Sequence, residues 1–458
     1  MLPDLALLEM FYFFINEPWT GAWPTLVHVC KKWRSLVFGS PRRLDLRIYC
    51  RVSSPVREML DIWPPLPLAI SVYNPKKWVE DNIIAALEHN DRICHFLLSY
   101  IPSSGFSKLA AAMQKPFPAL TRLELELSGR DETAPVVPAS FLGGSLPRLQ
   151  RLFLQCIPFP GLPSLLLSAT HLVHLRLTGI PHSGYFSPEA MAGCLSELTR
   201  LEILTIRFQF TENRPDRKGR RPDLQAPILL PVLVEFDFNG ASEYLEVLVA
   251  RIDTPLLEKL DVILFHERIF DTPQLSRFIG RTPKFNSSDE AYMVFFNSQV
   301  LISLSESFDG ELYLGILCSQ TDLQLSSMAQ AYRSSFPQSL ISAVERLYIL
   351  EDVLSRPIWQ DDIESHQWLE LLHPFTTVKD LYISREFVPR IAPALQLAEE
   401  RTTALPALQS LFLEETLHSE LIEEAIQQFV DARQCASHPI NVSRWEGKKT
   451  MWDETDDE

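Results

Sequence analysis

Gly447-Lys448-Lys449-Thr450 has the residue types that close a phosphate-binding loop, where backbone amides and a lysine cradle a polyphosphate. That chemistry also needs a glycine at position 442, and Val442 stands there. His171 and His174 could offer two imidazoles from beside a strand, but no third ligand is near them in sequence, so they read as surface residues rather than a zinc site. Asp361-Asp362 and Glu399-Glu400 read as solvated faces, not as acid–base dyads. GxSxG, HExxH and GxGxxG are all absent. Arg214, Arg217, Lys218, Arg220 and Arg221, set around Gly219 and two prolines, could form a nuclear-import or acidic-partner patch; an exposed loop between repeats is the favoured alternative. The residues therefore support no enzyme, and neither a metal nor a cofactor is expected.

Composition narrows what could lie around such residues. The chain has 458 residues, 46% hydrophobic and 22% charged, which is globular but too long for one ordinary domain unless it is a repeat array. Its 34 prolines outnumber its 16 glycines, as suits many short elements joined by stiff turns. A formal charge of −16 disfavours nucleic acid as the main ligand. No apolar run is long enough to span a membrane, so no membrane partner is expected. Met1 to Phe14 is apolar enough to mimic a signal peptide, but Asp4 and Glu9 and the lack of a basic start make it read as mature protein. Cysteines 30, 50, 94, 156, 194, 318 and 435 are odd in number, widely spaced and without a CxxC pair. They read as reduced apolar residues, which points to the cytoplasm, the nucleus or both.

A unit L-x-x-L-x-L recurs along the chain. Its copies are Leu120/Leu123/Leu125, Leu149/Leu152/Leu154, Leu172/Leu175/Leu177, Leu201/Leu204/Ile206, Leu233/Phe236/Phe238 and Leu257/Leu260/Val262, then Val344/Leu347/Ile349, Val378/Leu381/Ile383 and Leu408/Leu411/Leu413. The alternation predicts a short strand with one buried face. Further strands are predicted at Leu44–Ile48, Leu68–Val72, Ile93–Leu98, Ala291–Phe295 and Leu312–Ile316. Helices are predicted after Ser187-Pro188, Ser242-Glu243, Thr272-Pro273 and Ser419, with Ser187 and Thr272, each before a proline, as N-caps. A strand and a helix repeated at this period describe a leucine-rich-repeat solenoid, an α/β fold whose curved parallel sheet is backed by outer helices. The asparagine or cysteine usual after the strand is missing, with Ser128, Ile157, Ile180 and Gln209 in that register, so an irregular array is expected.

The first forty residues differ from the rest. Leu5, Leu8, Tyr12 and Ile15 form one helical stripe and Leu7, Met10, Phe11 and Phe14 another. A second helix, with Leu26, Val29, Cys30, Trp33 and Val37 at helical spacing, is predicted from Trp23-Pro24 to Gly39-Ser40-Pro41. A helix apolar nearly all round must be covered on more than one side, and two helices this small cannot do that alone.

Leu2-Pro3-Asp4-x-x-Leu7-Leu8-Glu9-Met10-Phe11, followed by Leu26-Val27-x-Val29-Cys30-x-x-Trp33-Arg34, resembles the F-box. The link from Asn16 to Trp23 is longer than in a compact F-box. The extension Phe38-Gly39-Ser40-Pro41-Arg42-Arg43-Leu44-Asp45-Leu46, and later Thr282-Pro283-Lys284-Phe285 through Asp289-Glu290-Ala291, resembles F-box proteins abundant in mushroom-forming fungi. The resemblance implies docking on a Skp-type adaptor, and through it on a cullin, by Leu2, Pro3, Leu5, Leu7, Leu8, Met10, Phe11, Leu26, Val29, Cys30 and Trp33, with anchoring of the module as a second role for Trp33. The domains expected are an F-box-like module at 1–41, a solenoid at 42–435 and an acidic tail at 436–458. Residues between the strand leucines face away from the core; Phe153, Arg176, Tyr348, Tyr382 and Phe412 are the expected contacts for an unknown protein target. The expected function is that of a substrate-recognition subunit of a Skp-cullin-F-box ubiquitin ligase. The alternative is an interaction scaffold without ubiquitination, its N-terminal helices serving as a cap.

Overall fold

Alternation of apolar and polar residues sends every second side chain to the same side of a strand, so a leucine-patterned copy can fold only with its leucines under cover. A computed structural model describes residues 3–16, 23–51, 56–72, 80–129, 135–209, 227–267, 270–285, 288–304, 311–318, 321–352, 365–384, 387–388, 390–391, 394–395, 405–414, 420–435 and 438–445. In all nine repeat copies the last two apolar positions lie in a strand, and the first lies just before it. The chain divides into two compact units, 1–186 and 187–458, a boundary that falls inside the segment expected to be one solenoid.

The N-terminal unit begins with α1 (Asp4–Asn16), α2 (Trp23–Val29) and α3 (Lys31–Gly39). The second predicted helix is thus two helices, because Cys30 is fully extended between them and its Sγ accepts the Trp33 amide proton at the start of α3. Six strands come next: β1 (Ile48–Arg51), β2 (Leu68–Val72), β3 (Ile93–Ile101), β4 (Arg122–Leu127), β5 (Arg151–Gln155) and β6 (His174–Ile180), each parallel to its successor in chain order. Leu44–Ile48, predicted as a strand, is mostly a turn: Leu44 and Leu46 are buried around Asp45, whose φ is +46°, and pairing starts only at Ile48. In register, Leu123, Leu152 and Leu175 form one buried row and Leu125, Leu154 and Leu177 the next. Phe106 and Leu109 of the helix Ser103–Ala112 are buried as well.

Parallel pairing extends upstream of the strands. The amides of Thr121, Gln150 and Val173 each donate to the preceding repeat, at Cys94, Thr121 and Gln150 respectively, all at 2.8 Å. This backbone ladder holds the repeats in register without the missing asparagines.

The C-terminal unit carries β7 (Ile203–Phe208), β8 (Ile228–Leu229), β9 (Glu235–Gly240), β10 (Ile252–Asp253), β11 (Lys259–Phe265), β12 (Glu290–Phe295), β13 (Gln299–Leu304), β14 (Leu312–Leu317), β15 (Arg346–Glu351), β16 (Asp380–Ile383), β17 (Ser410–Glu414) and β18 (Asn441–Trp445). Its main sheet has the order β7-β9-β11-β14-β13-β12-β15-β16-β17-β18, while β8 and β10 pair separately. A purely parallel sheet was expected here. Instead β13 is antiparallel to both neighbours. The cause is a tight turn in which the Phe296 amide donates to the Gln299 carbonyl at 2.8 Å, too short for a crossover. The alternation Val300, Ile302, Leu304 was the sequence signal for β13. The sheet also runs past the expected solenoid end at 435, because β18 pairs with β17 in parallel.

Helix starts follow local chemistry only in part. Ser187 caps the helix Pro188–Leu195, its Oγ accepting from the Ala190 amide at 3.1 Å. Thr272 does not cap Pro273–Arg281 with its side chain. It is buried and bonds to Ser334 and Ser335, and the orphan amides of Gln274 and Leu275 are met by the Glu246 carboxylate at 2.9 and 2.7 Å. Ser419 lies outside the described residues.

Candidate functional site

The helical module comes first because its apolar residues exceed what one face can hide. On α1, Leu7, Leu8, Phe11 and Ile15 are buried. On the opposite side, Leu5, Met10 and Phe13 are 65%, 55% and 71% exposed. On the second part of the module Leu26 is buried, Val29 is 59% exposed and Cys30 is exposed. Trp33 is half-buried, edge-on to Phe11 with ring centroids 4.8 Å apart, so it anchors the module internally. Trp23 fastens the module to the start of the repeat region: it is buried, meets Trp63 edge-on at 4.9 Å, and donates its indole N–H to the Arg47 carbonyl at 2.6 Å. Lys32 pairs with Asp4 at 2.7 Å and Arg43 with Glu9.

The eleven residues assigned to one adaptor surface therefore divide. Leu7, Leu8, Phe11 and Leu26 are consumed by the chain's own packing, a correction to their reading as contacts. Pro3, Leu5, Met10, Val29 and Cys30 remain on the surface, Trp33 in part, and Leu2 lies outside the described residues. Phe13, also exposed, was missed because it lies in neither the motif nor the two stripes; at 100° per residue it falls opposite the buried side of α1.

The second surface is the sheet face opposite the leucines in the N-terminal unit. There His95, Arg122, Arg151 and His174 stand opposite one another on four successive strands. The next row is Leu97, Glu124, Phe153 and Arg176. Arg47 Nη1 lies 2.7 Å from His95 Nε2 and 2.9 Å from Nδ1, and since a guanidinium only donates, the ring nitrogen that accepts from it carries no proton. Burial, then the charges of Arg47 and Arg122, lower the His95 pKa to about 4. Arg122 is paired with Glu124 at 2.7 Å. Phe153 is half-buried and Arg176 exposed, where their reading as surface contacts puts them.

In the C-terminal unit the same face is built differently. Tyr292, Tyr348, Tyr382 and Phe412 face one another on β12, β15, β16 and β17. Their rings stack in succession, with centroids 4.5, 4.3 and 4.3 Å apart and planes within 14°. Trp445 of β18 meets Tyr382 edge-on at 5.4 Å. Tyr292 and Tyr348 are buried, Tyr382 and Phe412 half-buried. The expected target patch of Tyr348, Tyr382 and Phe412 is therefore corrected: Tyr348 has no surface to offer, because adjacent strands bring flat rings within stacking distance. Tyr292 donates to Glu290, which also holds Arg346 at 2.8 Å, and burial raises the Tyr292 and Tyr348 hydroxyl pKa values. Further along the row, Arg207 clasps Asp237 with two bonds from Nε at 2.8 and 3.0 Å. Burial, and then Asp237, raise the Asp261 pKa to about 6.

The residues weighed for chemistry do not converge. His171 is exposed and bonded to Thr170, and His174 lies on β6. Among the described residues no cluster of three or more His, Cys, Asp or Glu is placed to hold a metal ion. Gly447–Thr450, Asp361-Asp362, Glu399-Glu400 and Arg214–Arg221 lie outside the described residues. All seven cysteines are free thiols, and burial raises the Cys50 and Cys194 pKa values to about 11 and 12. Among the described residues no helix is long and apolar enough to cross a membrane.

No protein-family model, the F-box included, and no curated protein matches the chain. Among solved structures, the leucine-rich repeat-containing protein LegL7 from Legionella pneumophila matches at 13% identity over 84% of this chain and 97% of that one, with a TM-score of 0.28. What places this chain among leucine-rich-repeat-like α/β proteins is its own strand register and buried leucine rows.

Proposed function

We propose that the chain is a substrate receptor of a Skp-cullin-F-box type ubiquitin ligase. The N-terminal helices dock on a Skp-type adaptor and the repeat sheet holds a protein target, in the cytoplasm or nucleus. The chain performs no chemistry itself and contributes proximity between target and ubiquitin carrier. The reading is carried by the apolar surface left on a folded helical module: Leu5, Met10, Phe13 and Val29 are all more than half exposed, while Leu7, Leu8, Phe11, Ile15 and Leu26 on the same helices are buried. An uncovered apolar stripe on an otherwise packed helix marks a place for another polypeptide.

Co-purification with a Skp-type adaptor tests it. Leu5→Asp and Val29→Asp should abolish the complex and leave thermal unfolding unchanged. Leu8→Asp should unfold the module, because it buries an unpaired charge. If the first two variants keep the adaptor, the proposal fails. The second reading, a scaffold with the helices as a cap, draws on the burial of Leu7, Leu8, Phe11 and Ile15 against the chain itself. A cap needs no adaptor, so a chain that folds and captures a target without binding one would favour it.

A further inference from the structure

The chain is acidic overall, yet its charge is unevenly placed. The N-terminal unit has 18 Lys and Arg against 14 Asp and Glu, whereas the C-terminal unit has 24 against 44. Within the N-terminal unit, strand register sets His95, Arg122, Arg151 and His174 side by side, with Arg176 in the row above. Like charges directly opposite on neighbouring strands destabilise a sheet. Glu124 relieves Arg122 only. Arg151 and Arg176 are exposed, and neither has an acidic partner among the described residues. The depressed His95 titration, caused after burial by Arg47 and Arg122 and also by Arg151, reports the positive field along this strip.

We infer that the strip formed by Arg122, Arg151 and Arg176 beside His95 and Phe153 is a docking surface for an extended, carboxylate-rich segment of a partner protein. The inference rests on the target-holding half of the proposed function and gives that target a chemistry. Four strands spaced by about 4.8 Å make a strip about 14 Å long, the reach of roughly four extended residues. Guanidinium forks match carboxylates in bidentate geometry, and Phe153 provides an apolar contact between Arg151 and Arg176. A nucleic acid is the poorer occupant, because three arginines and one half-buried aromatic, Phe153, fall short of the basic groove and stacking platforms that a nucleic-acid strand needs.

Fluorescence anisotropy of a labelled octaglutamate peptide against the full chain at low salt tests the inference. Binding is expected, weakened at least about tenfold by Arg151→Glu and by Arg176→Glu, with Lys115→Glu as a surface control changing it less than about twofold. Saturation with peptide should raise the His95 pKa, followed through its imidazole resonance. Circular dichroism confirms that each variant is folded. The inference is overturned if the peptide does not bind, if Lys115→Glu weakens it as much as Arg151→Glu, if inorganic phosphate displaces it at equal concentration, or if octathymidylate binds more tightly. None of these readings involves the adaptor, so failure here leaves the docking of the N-terminal helices standing, and the reverse also holds.

Discussion

The same strand face is open in one unit and closed in the other. In the N-terminal unit, the side chains between the leucines are His95, Arg122, Arg151, Phe153 and Arg176, unstacked and partly wet. In the C-terminal unit the equivalent positions on β12 and β15–β17 are Tyr292, Tyr348, Tyr382 and Phe412, pressed ring on ring. One backbone register thus produces an open, charged face or a second core, depending on whether adjacent strands carry mutually repelling cations or stackable rings. A fold-level reading that treats all such positions as contact residues misses this.

Substitutions to alanine separate the two cases most strongly. Tyr348→Ala should destabilise the protein by about 3 kcal/mol, because a buried ring stacked on both sides is lost. Phe153→Ala should cost under about 1 kcal/mol, since that ring is half-buried. Denaturant unfolding measures both, and equal costs would erase the distinction. Next in size is Gly315→Val, in the antiparallel meander of the C-terminal unit. A β-carbon at Gly315 would already come within 2.3 Å of Leu301 Cδ2, so an expected loss of about 1–3 kcal/mol should appear in the same assay. Glu246→Ala removes the carboxylate that meets two amides at the start of the helix Pro273–Arg281, and should cost about 1 kcal/mol.

The pH-dependent effects have opposite signs. His95 has a folded-state pKa near 4, below its ordinary 6.5, so it contributes stability that is full above pH 6.5 and fades as pH falls toward 4. Asp261 has a folded-state pKa near 6, above its ordinary 3.8, so its penalty is absent below pH 3.8 and grows as pH rises toward 6. His95→Gln should therefore flatten a gain in stability between pH 4 and 6.5, and Asp261→Asn should flatten a loss between pH 3.8 and 6. Each is read as the difference between variant and parent melting curves across pH. Differences of the same sign would show that burial is not what moves these groups.

The strands announced themselves because their periodicity is local. Leu123/Leu125, Leu204/Ile206 and Leu411/Leu413 are two apart, and a period of two needs no knowledge of neighbours to predict one buried side. Ser187-Pro188 was legible for the same reason, since a cap and a first-turn proline act within three residues. Thr272-Pro273 carried the same signal, but Glu246, 28 residues before Gln274, took over the cap. The helical module was half legible: its apolar excess was visible along the chain, but which of Leu5 and Leu8 is sealed depended on which side of α1 packs on α2 and α3.

By itself the sequence determined the repeats, the side of each strand that must be buried, and the presence of a module with more apolar surface than it can cover. Those are consequences of side-chain order along a chain whose local geometry has few choices. Only the tertiary structure decided that β13 reverses, that β18 extends the sheet, and that the tyrosines close on one another while the arginines stay open. Those outcomes depend on which residues stand opposite across strands, a relation between positions tens of residues apart that no local pattern encodes.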